Sequence, residues 1–162
     1  MMRGRRFDVV NLSAARNAGK AFLLLEAGAS NPLIVQRSRM VAGSLSTPFQ
    51  LEAKWVKVAT KGSPVGAGTT TVHPLDPGGT AAALTALGDL TTDVGAYETA
   101  AEHIRGHDVW PSTIGWRLGS LRDEDQDDWL YIPGGELWAL KMINSSISST
   151  TVLTTARVIE LL

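Results

Sequence analysis

The chain contains no cysteine. Disulfides, thiolate metal ligands and cysteine nucleophiles are excluded together, so any stapling must come from packing or assembly. It has little charge of either sign in excess. A formal net charge of −1 over 162 residues gives no global attraction to nucleic acid or to an anionic membrane. Long apolar runs are missing as well: the longest, residues 21–25, is far shorter than the roughly 20 residues that cross a bilayer as a helix. The basic start, MMRGRRF, passes into Asp8 and Asn11 instead of an apolar stretch, unlike a secretory leader. A soluble protein is expected.

What is present is the make-up of one folded domain, with 44% hydrophobic and 19% charged residues. Local signals agree best across residues 129–144, WLYIPGGELWALKMIN. Proline presets its own φ and glycines can enter φ > 0, so Pro133-Gly134-Gly135 is a turn. Beyond it, Glu136, Trp138, Leu140 and Met142 fall on one face of an extended strand, and Leu137, Ala139, Lys141 and Ile143 on the other. Both faces are largely apolar. That predicts a strand covered on two sides, and makes residues 129–144 the central hairpin of an all-β domain.

Residues 1–19 read as an N-terminal arm plus a possible first strand at 7–12. Arg3, Arg5 and Arg6 form either a flexible basic arm or a disordered terminus. Residues 20–162 read as one jelly-roll domain. Strands are predicted at 20–27 and at 33–41, where Arg37 and Arg39 share a parity with Leu33, Val35 and Val41. Another is predicted at 49–55, where Phe49, Leu51, Ala53 and Trp55 alternate with polar residues. Parity slips at Val56 and Val58, through a bulge or through burial of both faces. Residues 60–68 form a loop, the β-branched 69–72 resume a strand, and Leu75-Asp76-Pro77-Gly78-Gly79 turns again. Residues 80–90 are assigned as strand against the helical propensity of their alanines and leucines. Residues 93–107 read as a helix, because Asp93 can cap it and Tyr97, Ala101 and Ile104 share a face. Further strands fall at 114–118 and 150–161. The expected fold is all-β: a single jelly roll or β-sandwich of about eight to ten short antiparallel strands with one short helical insertion.

No constellation nominates an active site. Gly-x-Ser-x-Gly and HExxH are absent, and Gly19-Lys20 lacks the context of a phosphate loop. The expectation is a protein that is not an enzyme and has no cofactor and no metal. His103 and His107, spaced i, i+4 on the predicted helix, can place two imidazoles on one metal, but no third ligand is evident; the other reading is a solvated helix end. The acidic run Asp123-Glu124-Asp125-Gln126-Asp127-Asp128 leaves three roles open. It can ligate calcium, although the EF-hand order is missing; it can contact arginines such as Arg37 or Arg39 of another subunit; or it is a solvated loop. Among the five tryptophans, Trp55 and Trp138 lie in the best strands and belong to the core. Trp110 and Trp116, near loops, are interface candidates. The candidate interface set is Arg3, Arg5, Arg6, Arg37, Arg39, Trp110, Trp116, Asp123, Asp125 and Asp127.

The order of these segments carries a resemblance. The apolar KAFLLLEAG precedes PLIVQR, and a Leu-Asp-Pro-Gly turn at Leu75 to Gly78 precedes an Ala/Thr-rich stretch. The acidic loop then leads through Pro-Gly-Gly and GELWALKMIN to a β-branched strand ending VIEL. Over residues 20–162 this resembles a family of small jelly-roll virion proteins of tailed bacteriophages. The resemblance implies a non-enzymatic capsid decoration or cement protein that binds and stabilises the head shell. Its partners would be the major capsid protein and other virion proteins, with no nucleic acid and no membrane. It would be a homotrimer on the virion head surface, synthesised in the host cytoplasm. The alternative is a tail, fibre or neck component with a receptor- or carbohydrate-binding surface; a cupin-like β-sandwich enzyme is a third.

Overall fold

The first half of the chain pairs with the second half, as one long hairpin folded back on itself. The computed structural model describes residues 4–12, 21–42, 49–58, 69–76, 81–88, 97–110, 116–119, 129–143 and 152–162. They hold eleven strands: β1 (Gly4–Leu12), β2 (Ala21–Glu26), β3 (Leu33–Ala42), β4 (Phe49–Val58), β5 (Thr69–Pro74), β6 (Thr85–Gly88), β7 (Tyr97–Trp110), β8 (Trp116–Gly119), β9 (Leu130–Ile132), β10 (Leu137–Ile143) and β11 (Val152–Leu161). β1 pairs with β11, β2 with β10, β3 with β8 and β9, and β4 with β7, all antiparallel. The lateral pairs β11–β3 and β10–β4 complete two sheets. The first runs β5-β1-β11-β3-β8, with β9 also on β3; the second runs β6-β2-β10-β4-β7. This nested order is a jelly-roll-like sandwich.

Alternation along each strand sends one set of side chains between the sheets. Phe7, Val9, Leu33, Val35, Met40, Ile132 and Val158 from the first sheet are buried against Phe22, Leu23, Leu25, Trp55, Trp138 and Leu140 from the second. Two buried polar links tie the layers. Trp55 Nε1 donates to Ser38 Oγ at 3.3 Å. Asn11 Nδ2 donates to the Phe22 carbonyl at 2.7 Å while its Oδ1 accepts from Thr70 at 2.9 Å. Both side chains are satisfied, so neither burial leaves an orphaned group. Leu24, Val56, Val58 and Ala139, on the opposite side of the second sheet, are buried too. Both faces of β10 are therefore covered. At the end of β4 both faces are buried too, with Trp55 in one cluster and Val56 and Val58 in the other, and the register on β7 shifts between Val56 and Val58, so both explanations of the parity slip apply.

Several expectations need correction. Among the described residues there is no helix, and the strands number eleven. The segment expected to be helical is β7, paired with β4 from Phe49↔Trp110 to Val58↔Tyr97; residues 93–96 lie outside the described set. Helical spacing of Tyr97, Ala101 and Ile104 was a local signal. It lost to the backbone hydrogen-bonding row offered by the free edge of β4. Two register shifts absorb the difference in length: Arg105 is skipped between Ala53 and Lys54, and residues 98–101 lie opposite Lys57 alone between Val56 and Val58. His103 and His107 thus stand four residues apart on a strand, about 13 Å, and the helical spacing that would bring both imidazoles to one ion is lost.

Residues 129–144 are not a hairpin. β9 pairs with β3 in the first sheet, whereas β10 lies between β2 and β4 in the second. The turn itself forms, with Glu136 N donating to the Pro133 carbonyl at 3.2 Å and Gly135 at φ +78°. It is a corner between layers. Gly134 abuts the Ala29 carbonyl, where a Cβ would come within 2.5 Å, so this corner requires a residue without a side chain.

Glu136 leaves that corner held by two donors: Lys57 Nζ at 2.8 Å and Trp138 Nε1 at 3.0 Å. Burial pushes its carboxyl pKa up, but these hydrogen bonds and the Lys57 charge outweigh that and hold it below its ordinary value of 4.5. A carboxylate depressed in the folded state stabilises the fold above its unfolded pKa, and that contribution is lost as pH falls through the folded value. Lys57→Ala should therefore lower stability by about 1 kcal/mol or less at pH 7, with the gap to wild type closing below about pH 4. Thermal melts of both proteins across this range check it; a gap that stays constant would rule out the pair as its source.

Candidate functional site: the outer face of the first sheet

β3 shows how this face is built. Leu33 and Val35 point into the core, but the register of β3 on β11 shifts so that Gln36 is skipped. After that bulge Ser38 and Met40 point inward, leaving Arg37, Arg39 and Val41 on the outside. A shared parity in sequence becomes two opposite faces in space.

Successive rows cross the outer face along the paired registers. At one end Leu12, Leu153 and Val41 lie side by side. Val10, Thr155 and Arg39 follow. Next come Asp8, Arg157 and Arg37, and then Arg6, Ile159, Ile34 and Tyr131. Gly4 and Leu161 close the other end. In the central row Arg157 grips Asp8 with both arms of its fork, Nε to Oδ1 at 3.0 Å and NH2 to Oδ2 at 3.2 Å, the planar geometry that suits a carboxylate. His73 of β5 extends this row beside Asp8. In the fourth row Arg6 NH2 donates to Asp76 Oδ1 at 2.9 Å, and its backbone N–H to Oδ2 at 3.3 Å. These bonds, the side-chain one foremost, lower the Asp76 pKa.

Between the fourth row and the sheet end lies an open, mostly apolar groove of about 710 Å³, lined by Gly4, Arg6, Ile34, Trp129, Tyr131, Ile159 and Leu161. A Cβ on Gly4 would come within 2.5 Å of Ile159 Cγ2, so glycine lets that isoleucine lie across β1. Six large hydrophobic side chains are exposed among the described residues: Leu12 (55%), Val41 (38%), Leu75 (37%), Tyr131 (53%), Leu153 (38%) and Leu162 (70%). All but the last residue of the chain belong to this one face.

The sequence-derived candidates fare unevenly. Arg6, Arg37 and Arg39 are on this face. Arg5 belongs to β1, but it turns inward at the sandwich end, where its NH2 meets Glu160 Oε2 at 2.5 Å. Trp110 ends β7 opposite Phe49, and Trp116 begins β8 opposite Ala42. Arg3, Asp123, Asp125 and Asp127 lie outside the described residues. The residues that sequence reading passed over are Asp8, Leu12, Tyr131, Leu153 and Arg157. Tyr131 had a local signal, since it sits alone between inward-facing Leu130 and Ile132. Asp8 and Arg157 had none, being 149 residues apart.

Chemically this face offers apolar area around a fixed array of guanidinium and carboxylate groups, which suits contact with a protein surface. Among the described residues no group of three or more His, Cys, Asp or Glu is placed to hold a metal ion. No family model and no curated protein matches the chain. Among solved structures, a chain from the "Structure of infectious bursal disease virus Gx strain" is similar at 10% identity with a TM-score of 0.21, over 99% of this chain and 41% of that one. The likeness is weak and partial, and at that score it carries no argument.

Proposed function

We propose that this protein is a structural component of a virus particle, a decoration or cement subunit on the head shell of a tailed bacteriophage, working by contact with its neighbours and not by catalysis. The observation that carries the reading is the outer face of the first sheet, where exposed leucines, a valine and a tyrosine flank a built ion-pair row. Leu12, Leu153 and Val41 lie side by side in the end row, and adjoining apolar exposure rimmed by polar groups marks interaction surfaces on otherwise well-buried domains. The nested strand order and the sequence resemblance to jelly-roll virion proteins support the choice of particle. Shell subunits of this sort need a rigid two-layer body and a broad face, and both are present here.

The test is composition and loss. Gradient-purified particles should contain the chain. Tyr131→Ala, which removes an exposed ring, should reduce incorporation by about tenfold or more, as expected for an interface aromatic, with an unchanged melting temperature. Finding the chain only in lysate, never in purified particles, would overturn the reading.

A further inference from the structure

We infer that the outer face of the first sheet is a two-fold interface between two copies of this chain, with the symmetry axis running along β11. The inference rests on reading this face as a contact surface, and it names the partner. Across the sheet the order β5-β1-β11-β3, continued by β9 on the far side of β3, places β11 in the middle. A two-fold axis along β11, lying in the plane between two facing sheets, sets β1 of one copy over β3 of the other, and β5 over β9. Aligned sheets keep their strand directions within about 30° of each other, and an axis along β11 holds the two β11 strands parallel, inside that range.

The residues then pair. In the end row Leu12 meets Val41 of the second copy, and Leu153 meets its own equivalent. Leu75, which continues the register of β5 beside Arg6 through its N–H bond to the Arg6 carbonyl, lies one strand beyond β1. Tyr131 lies one strand beyond β3 in the same row, so the operation brings Leu75 onto Tyr131. Every exposed large hydrophobic of the face thereby gains an apolar mate. In the central row Asp8 of each copy comes opposite Arg37 of the other. Arg157, on the axis, keeps its own Asp8, which limits repulsion between the two arginines there. This is the self-complementarity an isologous contact requires: residue i meets j while j meets i.

The area is sufficient. Nine residue pairs along β1 and β11 extend about 30 Å, and five strands span about 24 Å. That gives roughly 700 Å² per copy, or about 1,400 Å² in total, within the range of specific interfaces. A face lying on its own two-fold axis closes with two copies, so the threefold association implied by the resemblance would have to use another surface.

Sedimentation velocity on the purified 162-residue chain tests this. A dimer is expected at about 100 μM, a hundredfold above a micromolar Kd. Leu153→Arg places two cations together on the axis and should give monomer; below the dimer Kd, where neither protein associates, its melting temperature should match wild type, because this side chain is already exposed. Asp8→Arg and Arg37→Asp should each weaken dimerisation by about tenfold or more. The double variant should restore it, since the exchanged charges face each other across the interface and the carboxylate moved to β3 still lies beside Arg157 in the same row. A monomer at that concentration, or a dimer that survives Leu153→Arg, overturns the inference. A monomeric chain found in particles overturns this inference and spares the particle role. A dimer absent from particles supports this inference and overturns that role.

Discussion

Replacing Glu160 by alanine is expected to destabilise this protein by about 3 kcal/mol or more, the largest effect expected at a charged position among the described residues. Glu160 is fully buried at the end of β11. Its Oε1 accepts the backbone N–H groups of Ala83 at 2.7 Å and Leu84 at 2.9 Å, while Oε2 meets Arg5. Three donors thus converge on one carboxylate, and they join β1, β11 and the segment before β6. Truncation leaves a guanidinium and two amides without their acceptor, and removing one partner of a buried pair costs about 3–5 kcal/mol. The Arg5 side chain keeps 23% of its exposure, so water can reach part of it, which sets the expectation at the lower end. For a chain of this size about 3 kcal/mol corresponds to a fall in melting temperature of roughly 6–12 °C. Glu160→Gln keeps an oxygen for the two amides but removes the charge, and should fall between wild type and alanine. A loss below about 1 kcal/mol for Glu160→Ala would mean the site behaves as a surface pair.

Trp55→Ala is expected to cost about 3–5 kcal/mol. The ring is fully buried between the sheets, and close-packed neighbours collapse only partly into the space it leaves. Ser38, buried opposite it, loses its partner as well, adding about 1 kcal/mol. Urea unfolding should show the midpoint falling with the slope unchanged, as for a loss of stability without a change in exposed surface. Trp55→Phe should recover most of the packing but not the Ser38 bond. If Trp55→Ala unfolds within about 1 kcal/mol of wild type, this ring does not anchor the core.

Both sites show how far reading along the chain can go. Trp55 was placed in the core from its own strand, because alternation with Gln50, Glu52 and Lys54 is a local signal of a half-buried strand. Glu160 carried no such signal. It sits in VIEL among apolar neighbours, and its partners Arg5 and Ala83 are 155 and 77 residues away. Arg5 was accordingly read as part of an arm, although its guanidinium closes the sandwich end. The interface residues divide the same way. The arginines Arg37 and Arg39 stood out by type, but their side of the sheet depends on the bulge at Gln36.

The sequence alone determined the all-β class, the positions of most strands, the turn at Pro133 to Gly135 and the burial of Trp55 and Trp138. All of these follow from period-two alternation and turn chemistry within a few residues. Tertiary structure decided which strand lies beside which, the extended state of β7, the separation of β9 from β10 into different sheets, and the meeting of Asp8 with Arg157. The physical reason is that ladder hydrogen bonds join backbone to backbone and are nearly indifferent to side-chain identity. Partners are therefore selected by the whole sandwich closing around its core.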